Sequence, residues 1–219
     1  MKILNMIENK YVCNCKKYNL FKKDYIYWED RDTTSDELDI IKFIKNEFYI
    51  KDKNLLHIGI GNSEIASIFN EAKKIIGITV SKGEYNFGNK LNLNNYEIFL
   101  CDKYSENFID ITQKFKFDLI IDTNLKSYSC CSKSFNYMFK NYLNILNLNG
   151  KIITSRKGMN WYKKLKPKLS FNLKKLFHYK LKEIEGDKSN ILSLDEINSI
   201  STDNNLKLTY NERVLYLTK

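Results

Sequence analysis

Residues Asn54–Phe69, NLLHIGIGNSEIASIF, restrict the fold more than any other stretch of the chain. A short apolar run (Leu55, Leu56, Ile58, Ile60) leads into Gly59 and Gly61. A polar corner, Asn62–Ser63–Glu64, then opens the apolar-periodic segment Ile65, Ala66, Ile68, Phe69. That order reads as a strand, a glycine turn and a helix N-terminus. Without Cβ atoms the turn can adopt unusual dihedrals and let a ligand approach the backbone closely. A nucleoside-type cofactor suits such a turn. A dinucleotide fingerprint would carry a third glycine where Glu64 stands. A carboxylate beside that helix terminus repels a pyrophosphate but tolerates a cationic cofactor with no phosphate.

The rest of the chain repeats the strand–helix alternation. Lys74–Ser81 (KIIGITVS), Tyr96–Cys101 (YEIFLC, followed by Asp102) and Phe117–Asp122 (FDLIID) read as further strands. Phe135–Leu148 has apolar positions at Phe135, Met138, Phe139, Tyr142, Leu143, Ile145 and Leu146, a helical spacing closed by Asn149–Gly150. Lys151–Ser155 is a fifth strand; Leu206–Tyr210 and Arg213–Thr218 form a terminal hairpin around Asn211–Glu212. Upstream, Thr34 or Ser35 caps a helix over Asp36–Phe48. At 219 residues, one domain with one substantial core is expected. The alternation predicts a doubly wound α/β sheet.

The motif order resembles that of the class I S-adenosylmethionine (SAM) methyltransferases. Gly77–Ile78–Thr79–Val80–Ser81 followed by Glu84 is similar to the G-I-T-x-S-x-x-Q variant of the cyclopropane-fatty-acid-synthase-like and related small-molecule methyltransferases. The F-D-L-I-I run of the fourth strand and the N-G-K-I-I passage into the fifth resemble family signatures too. The resemblance spans roughly residues 36–219 and implies a seven-stranded, mostly parallel sheet closed by a C-terminal antiparallel hairpin. It implies SAM as cofactor and S-adenosylhomocysteine (SAH) as product. It carries the methionine end of SAM to the turn at Gly59 and Gly61 and the ribose to Glu84, with His57 (a group at the cofactor end or one step behind it) and Asn62 also among the cofactor-binding residues. Thr79 stands where the family usually has an acid, and Asp102 falls at the adenine contact. Asp122, at the mouth of the fourth strand, is a structural or SAM-orienting group or a general base, and His178 is a second candidate base.

The positive charge is concentrated in one place. Between Lys151 and Lys182 there are eleven Lys/Arg and no Asp or Glu, which exceeds the net +10 of the whole chain. Within this stretch, Trp161, Tyr162, Leu165 and Leu169 interleave with lysines, Pro167 breaks the run and Ser170 can cap a helix. In Phe171–Lys182 the apolar Leu173, Leu176, Phe177 and Leu181 share a face, with Lys174, Lys175, Lys180 and Lys182 elsewhere. The expectation is a basic insertion or lid over 156–190, with Trp161 and Lys174 toward an anionic acceptor. The extension over residues 1–35 carries Tyr27 and Trp28, expected to fold over the cofactor and acceptor.

A small-molecule acceptor is favoured by the G-I-T-x-S motif and by Asp122–Thr123–Asn124–Leu125, which lacks the D/N-P-P-Y/F of nucleic-acid amino-methyltransferases. A nucleic-acid methyltransferase using the basic 151–182 segment remains an alternative, as does a catalytically silent SAM-binding or partner-binding subunit. No apolar run approaches the roughly 18–20 residues needed to span a bilayer, and the N-terminus has no apolar signal core, so a cytoplasmic location is expected. The pairs Cys13/Cys15 and Cys130/Cys131 lack C-x-x-C spacing, so reduced thiols and no metal are expected.

Overall fold

The computed structural model describes residues 10–13, 32–127, 129–156, 162–164, 183–185 and 192–219. Strands β1 (Asn54–Ile58), β2 (Lys74–Thr79), β3 (Tyr96–Leu100), β4 (Phe117–Asp122) and β5 (Leu146–Ser155) alternate with helices. These helices are α1 (Ser35–Glu47), α2 (Glu64–Ile68), α3 (Lys82–Lys90), α4 (Glu106–Thr112) and α5 (Ser132–Ile145). After a two-stranded ribbon of β6 (Tyr162–Lys164) and β7 (Glu183–Glu185) come α6 (Leu194–Asp203), β8 (Lys207–Tyr210) and β9 (Val214–Thr218). The main sheet has seven strands in the order β3-β2-β1-β4-β5-β9-β8. β1 to β5 run parallel; β9 is antiparallel to both β5 and β8. The seven-stranded, mostly parallel sheet with its terminal hairpin is therefore present as expected.

Each inner strand is apolar on both faces because helices cover both. Along β1, Leu56 and Ile58 join Ile76, Ile78, Ile120 and Ile152 on one side, beneath Phe108 of α4 and Met138, Phe139 and Tyr142 of α5. Leu55 faces the other way, with Ile75, Leu119, Ile121 and Ile153 against Ile40, Ile41 and Ile44 of α1 and Ile65 and Ala66 of α2. Alternate residues on opposite faces are the two-residue period of a strand, and double coverage explains the continuous apolar runs. Thr34 caps α1 through a reciprocal bond pair with Glu37, the arrangement that satisfies two otherwise orphaned helix donors.

Two expectations change. The helix foreseen over Phe135–Leu148 ends at Ile145, and Leu146 already lies in β5, paired with Phe117 of β4. Asn149, not Gly150, takes the left-handed backbone (φ +63), and Leu148 is 81% exposed. The register shift between Phe117 and Leu119 lets the longer β5 bulge around Asn147–Gly150 before it pairs again at Lys151. The second difference is the ribbon: Tyr162, Lys163 and Lys164 pair with Glu185, Ile184 and Glu183, bringing the two ends of the basic insertion together. The basic helix expected over Phe171–Lys182 lies outside the described residues, as do Pro167 and Ser170. No helix among the described residues is long and apolar enough to cross a membrane.

The strand order reverses at β1. From β1 the chain moves outward through β2 and β3, then returns to the other side of β1 as β4. In open α/β sheets the crevice beyond the strand C-termini at such a reversal is the ligand site.

Candidate functional site

The glycine turn sits at that reversal. Gly59 (φ +69) and Gly61 (φ +52) both occupy the left-handed region that glycine enters without strain, as sequence reading expected. The Gly59 N–H donates to the Ile78 carbonyl at 2.8 Å, which fixes the turn to β2. A Cβ built on Gly59 would meet no atom within 4 Å, so the outer side of the turn is open. Asn62 fastens the far side: its Oδ1 accepts from the Glu64 N–H at 3.2 Å, and its Nδ2 donates to Thr33 Oγ1 at 3.0 Å. Ser63 is fully buried, its hydroxyl 3.2 Å from the Tyr96 phenol. The Tyr96 ring lies over Gly77, where a Cβ would come within 2.8 Å of the phenol oxygen.

At the end of β2, Thr79 and Glu84 form one unit. The Thr79 hydroxyl donates to Glu84 Oε2 at 2.5 Å and accepts from the Ser81 N–H at 3.0 Å. Ser81 Oγ in turn accepts from the Glu84 N–H at 3.3 Å and caps α3. Glu84, in the first turn of α3, is buried to 7% exposure. Thr79 thus does not replace the family's acid but holds one, through a short bond to an ionisable oxygen.

At the end of β3, Asp102 Oδ1 accepts from the Tyr104 N–H at 3.0 Å and Oδ2 from the Tyr11 hydroxyl at 3.1 Å. Burial pushes the Asp102 carboxyl above its ordinary value, against those two bonds and the charge of Lys103. Tyr11 also bridges to Ser105, and the Glu106 N–H donates to the Lys10 carbonyl at 2.8 Å. Residues 10–13 of the N-terminal extension are therefore fastened at the β3 end, whereas Thr33 is held at the glycine turn by Asn62. Tyr27 and Trp28 lie outside the described residues.

Asp122 ends β4 directly beside the turn, in register with Ile58 of β1. Its Oδ2 accepts from Lys103 Nζ at 2.8 Å and from the Tyr142 phenol at 2.9 Å. Lys103 Nζ also donates to the carbonyls of Asn124 (3.0 Å) and Leu125 (3.1 Å). Burial together with Asp122 drives the Tyr142 phenol far upward, so it stays a donor. An oxygen already receiving an ammonium and a phenol is poorly placed to take a proton. That geometry speaks for Asp122 as an anchor and against it as a base. Sequence reading missed Lys103 and Tyr142: a lysine in a loop reads as solvated, and Tyr142 sits at an apolar position of α5.

His57 is buried within β1, in register between Gly77 and Ile121. The structure thus brings His57, Gly59, Gly61, Asn62, Thr79, Glu84, Asp102 and Asp122 to one sheet edge. Trp161, Lys174 and His178 lie outside the described residues. Further along this edge, a cavity of about 220 Å³ is lined by Leu125, Lys126, Thr154, Arg156, Leu192 and Ile197 among others. Lys126 pairs with Glu196 at 2.5 Å, which lowers the Glu196 carboxyl, and Arg156 lies over the Tyr210 ring.

No family model matches the sequence, and no curated protein matches it significantly. Solved structures do resemble the fold. The DhpI–SAM–HEP complex is 12% identical, covering 84% of this chain and 85% of its own, with a TM-score of 0.55. The N-methyltransferase NodS from Bradyrhizobium japonicum WM9, in complex with SAH, is also 12% identical over 85% and 88%, with a TM-score of 0.55. The [4+2]-cyclase SpnF is 16% identical over 80% of this chain and 58% of its own, with a TM-score of 0.52. With its strand order, reversal point and terminal hairpin, the chain has the fold of the class I SAM-dependent methyltransferases.

Proposed function

We propose that the chain binds SAM along the C-terminal edge of β1, β2 and β3 and transfers its methyl group to a small-molecule acceptor, releasing SAH. The observation that carries this reading is the open left-handed turn at Gly59–Gly61, flanked by a carboxylate held at the end of each of the next two strands. These residues fit the cofactor's chemistry. The bare backbone of Gly59 and Gly61 admits the methionine end, with His57 and Asn62 beside it. Glu84 accepts from the ribose hydroxyls, and Asp102 accepts from the adenine amine. Two carboxylates beside the turn suit a cationic ligand, and Lys103, the described lysine beside Asp122, is engaged by that carboxylate.

When bound, SAM supplies a methyl carbon already activated by its sulfonium. The chain's task is then to align a nucleophile, exclude water and dispose of a proton. With Asp122 engaged by Lys103 and Tyr142, an acceptor with a free lone pair, such as an amine, is favoured over a hydroxyl. For an acceptor that must lose a proton, His178 is the remaining candidate base. The acceptor is taken as anionic because of the eleven Lys/Arg between Lys151 and Lys182, among them Arg156 at the cavity. Trp161, Lys174, Tyr27 and Trp28 are the proposed acceptor-binding residues.

A second reading, a catalytically silent SAM-binding or partner-binding subunit, draws on the occupied Asp122. Incubation with methyl-labelled SAM and a panel of carboxylated and phosphorylated amines separates the two. Label transfer to acidic members and not to neutral analogues supports the proposal. Binding without transfer supports the second reading, and transfer to RNA alone would replace the small-molecule acceptor.

A further inference from the structure

Cys13 and the pair Cys130–Cys131 are 117 residues apart in sequence, yet their three Sγ atoms all lie within 4.8 Å of one another. Cys13 Sγ is 3.1 Å from Cys130 Sγ, which is 3.8 Å from Cys131 Sγ. All three are half-buried, so solutes reach them, whereas Cys101 is buried in the core and burial pushes its thiol up to about 12. Spacing alone argued against a metal, but spacing describes only ligands close in sequence; the fold supplies what the motif lacks.

Two chemistries suit clustered thiols. A disulfide joins sulfurs about 2.05 Å apart and uses only two of the three. A metal ion with bonds of about 2.3 Å to sulfur sets its ligand sulfurs about 3.8–4.0 Å apart in tetrahedral or trigonal arrangements and uses all three. The 3.8 Å between Cys130 and Cys131 matches the second, while the 3.1 Å between Cys13 and Cys130 is too long for a disulfide and has to open by about 0.7 Å around an ion.

We propose that Cys13, Cys130 and Cys131 form a binding site for a thiophilic d10 metal ion, Zn(II) or Cu(I), that clips the N-terminal extension onto the segment leading into α5. As three sulfur–metal bonds form, the three thiols release their protons to solvent. For Cu(I), three thiolates complete a trigonal site. For Zn(II), a fourth donor is needed, and water has the right chemistry. The clip has a consequence for the site. Tyr11, two residues before Cys13, holds Asp102, so the ion fixes the segment that covers the end of β3. Closing a loop of 117 residues costs chain entropy, which the sulfur–metal bonds would help the contacts at Lys10 and Tyr11 to offset. The link to the cofactor rests on the SAM reading; the metal site does not.

The test uses full-length protein, reduced and handled without oxygen. Zn(II) is titrated against a chromophoric chelator, Cu(I) against a Cu(I)-specific one, and Co(II) is added for its sulfur-to-cobalt charge-transfer absorption. One equivalent of one of the d10 ions should bind. Affinity should fall roughly a hundredfold or more in Cys13→Ser and in Cys130→Ser, since loss even of outer-shell partners costs about 10–100-fold. Cys13→Ser alters only the extension, so an unchanged melting temperature without metal keeps that result clear of misfolding. Amide exchange at residues 10–13 should slow when the ion binds, whether or not SAM binds. Failure to compete with the chelators, equal affinity in Cys13→Ser, or a Cys13–Cys130 disulfide that excludes metal would each overturn the proposal.

Discussion

Lys103 and Asp122 form a buried ion pair of 2.8 Å, joining the loop after β3 to the end of β4 beside the glycine turn. Tyr142 and two carbonyls complete the bonding, so neither charge is left bare. Such a pair gives little net stability over an apolar replacement, but removing one partner strands the other charge in the interior.

Asp122→Asn should therefore lower the unfolding free energy by about 3–5 kcal/mol, and the double change with Lys103→Met should recover part of that loss. Urea denaturation measures both. An Asp122→Asn protein that is as stable as wild type yet inactive would instead restore Asp122 as a base.

Much of this site could be read in the sequence, and the exceptions have physical causes. The inner strands were legible because each is apolar on both faces, and Thr34 or Ser35 announced the first helix as a capping residue, of which Thr34 is the cap. The end of α5 was not: its helical spacing runs on through Leu146, but pairing with Phe117 draws that residue into the sheet. Thr79 looked like a missing acid because the bond that makes it Glu84's holder exists only once α3 folds back over the strand end. Lys103 and the three clustered thiols depend on contacts between distant segments, which no local pattern encodes.

Asp102 should make stability depend on pH. Burial raises its carboxyl above 3.8, so the folded chain keeps the proton over a window where the unfolded chain has lost it. Stability is then greatest below the ordinary value and falls as pH rises through the raised one. Asp102→Asn cannot ionise, so its stability advantage over wild type should grow across that window. Parallel melting-temperature profiles for the two proteins would contradict the assignment.

Gly77→Ala probes the support of the turn. Alanine ordinarily improves a strand interior, but here its Cβ would press on the Tyr96 ring, whose phenol is bonded to Ser63. A net destabilisation of about 1–3 kcal/mol is expected from the overpacking. A neutral or stabilising effect in thermal denaturation would mean that Tyr96 moves freely and does not brace the turn.

Glu84→Ala should weaken SAM by roughly 1–3 kcal/mol, the usual cost of losing hydrogen bonds to a charged group. Thr79→Val keeps the carboxylate but releases its holder, so a smaller loss of about 0.5–1.5 kcal/mol is expected. If Thr79→Val hurt binding more than Glu84→Ala, the hydroxyl rather than the acid would be the ligand contact.

Calorimetric titration of the full-length chain with SAM and SAH, alongside Gly59→Val, tests the central claim most directly. Valine at φ +69 adds backbone strain of about 1–2 kcal/mol and fills the open side of the turn. The account predicts one equivalent of either ligand bound by wild type and none by a Gly59→Val protein that still melts cooperatively. No binding by wild type, or equal affinity in the folded variant, would contradict it.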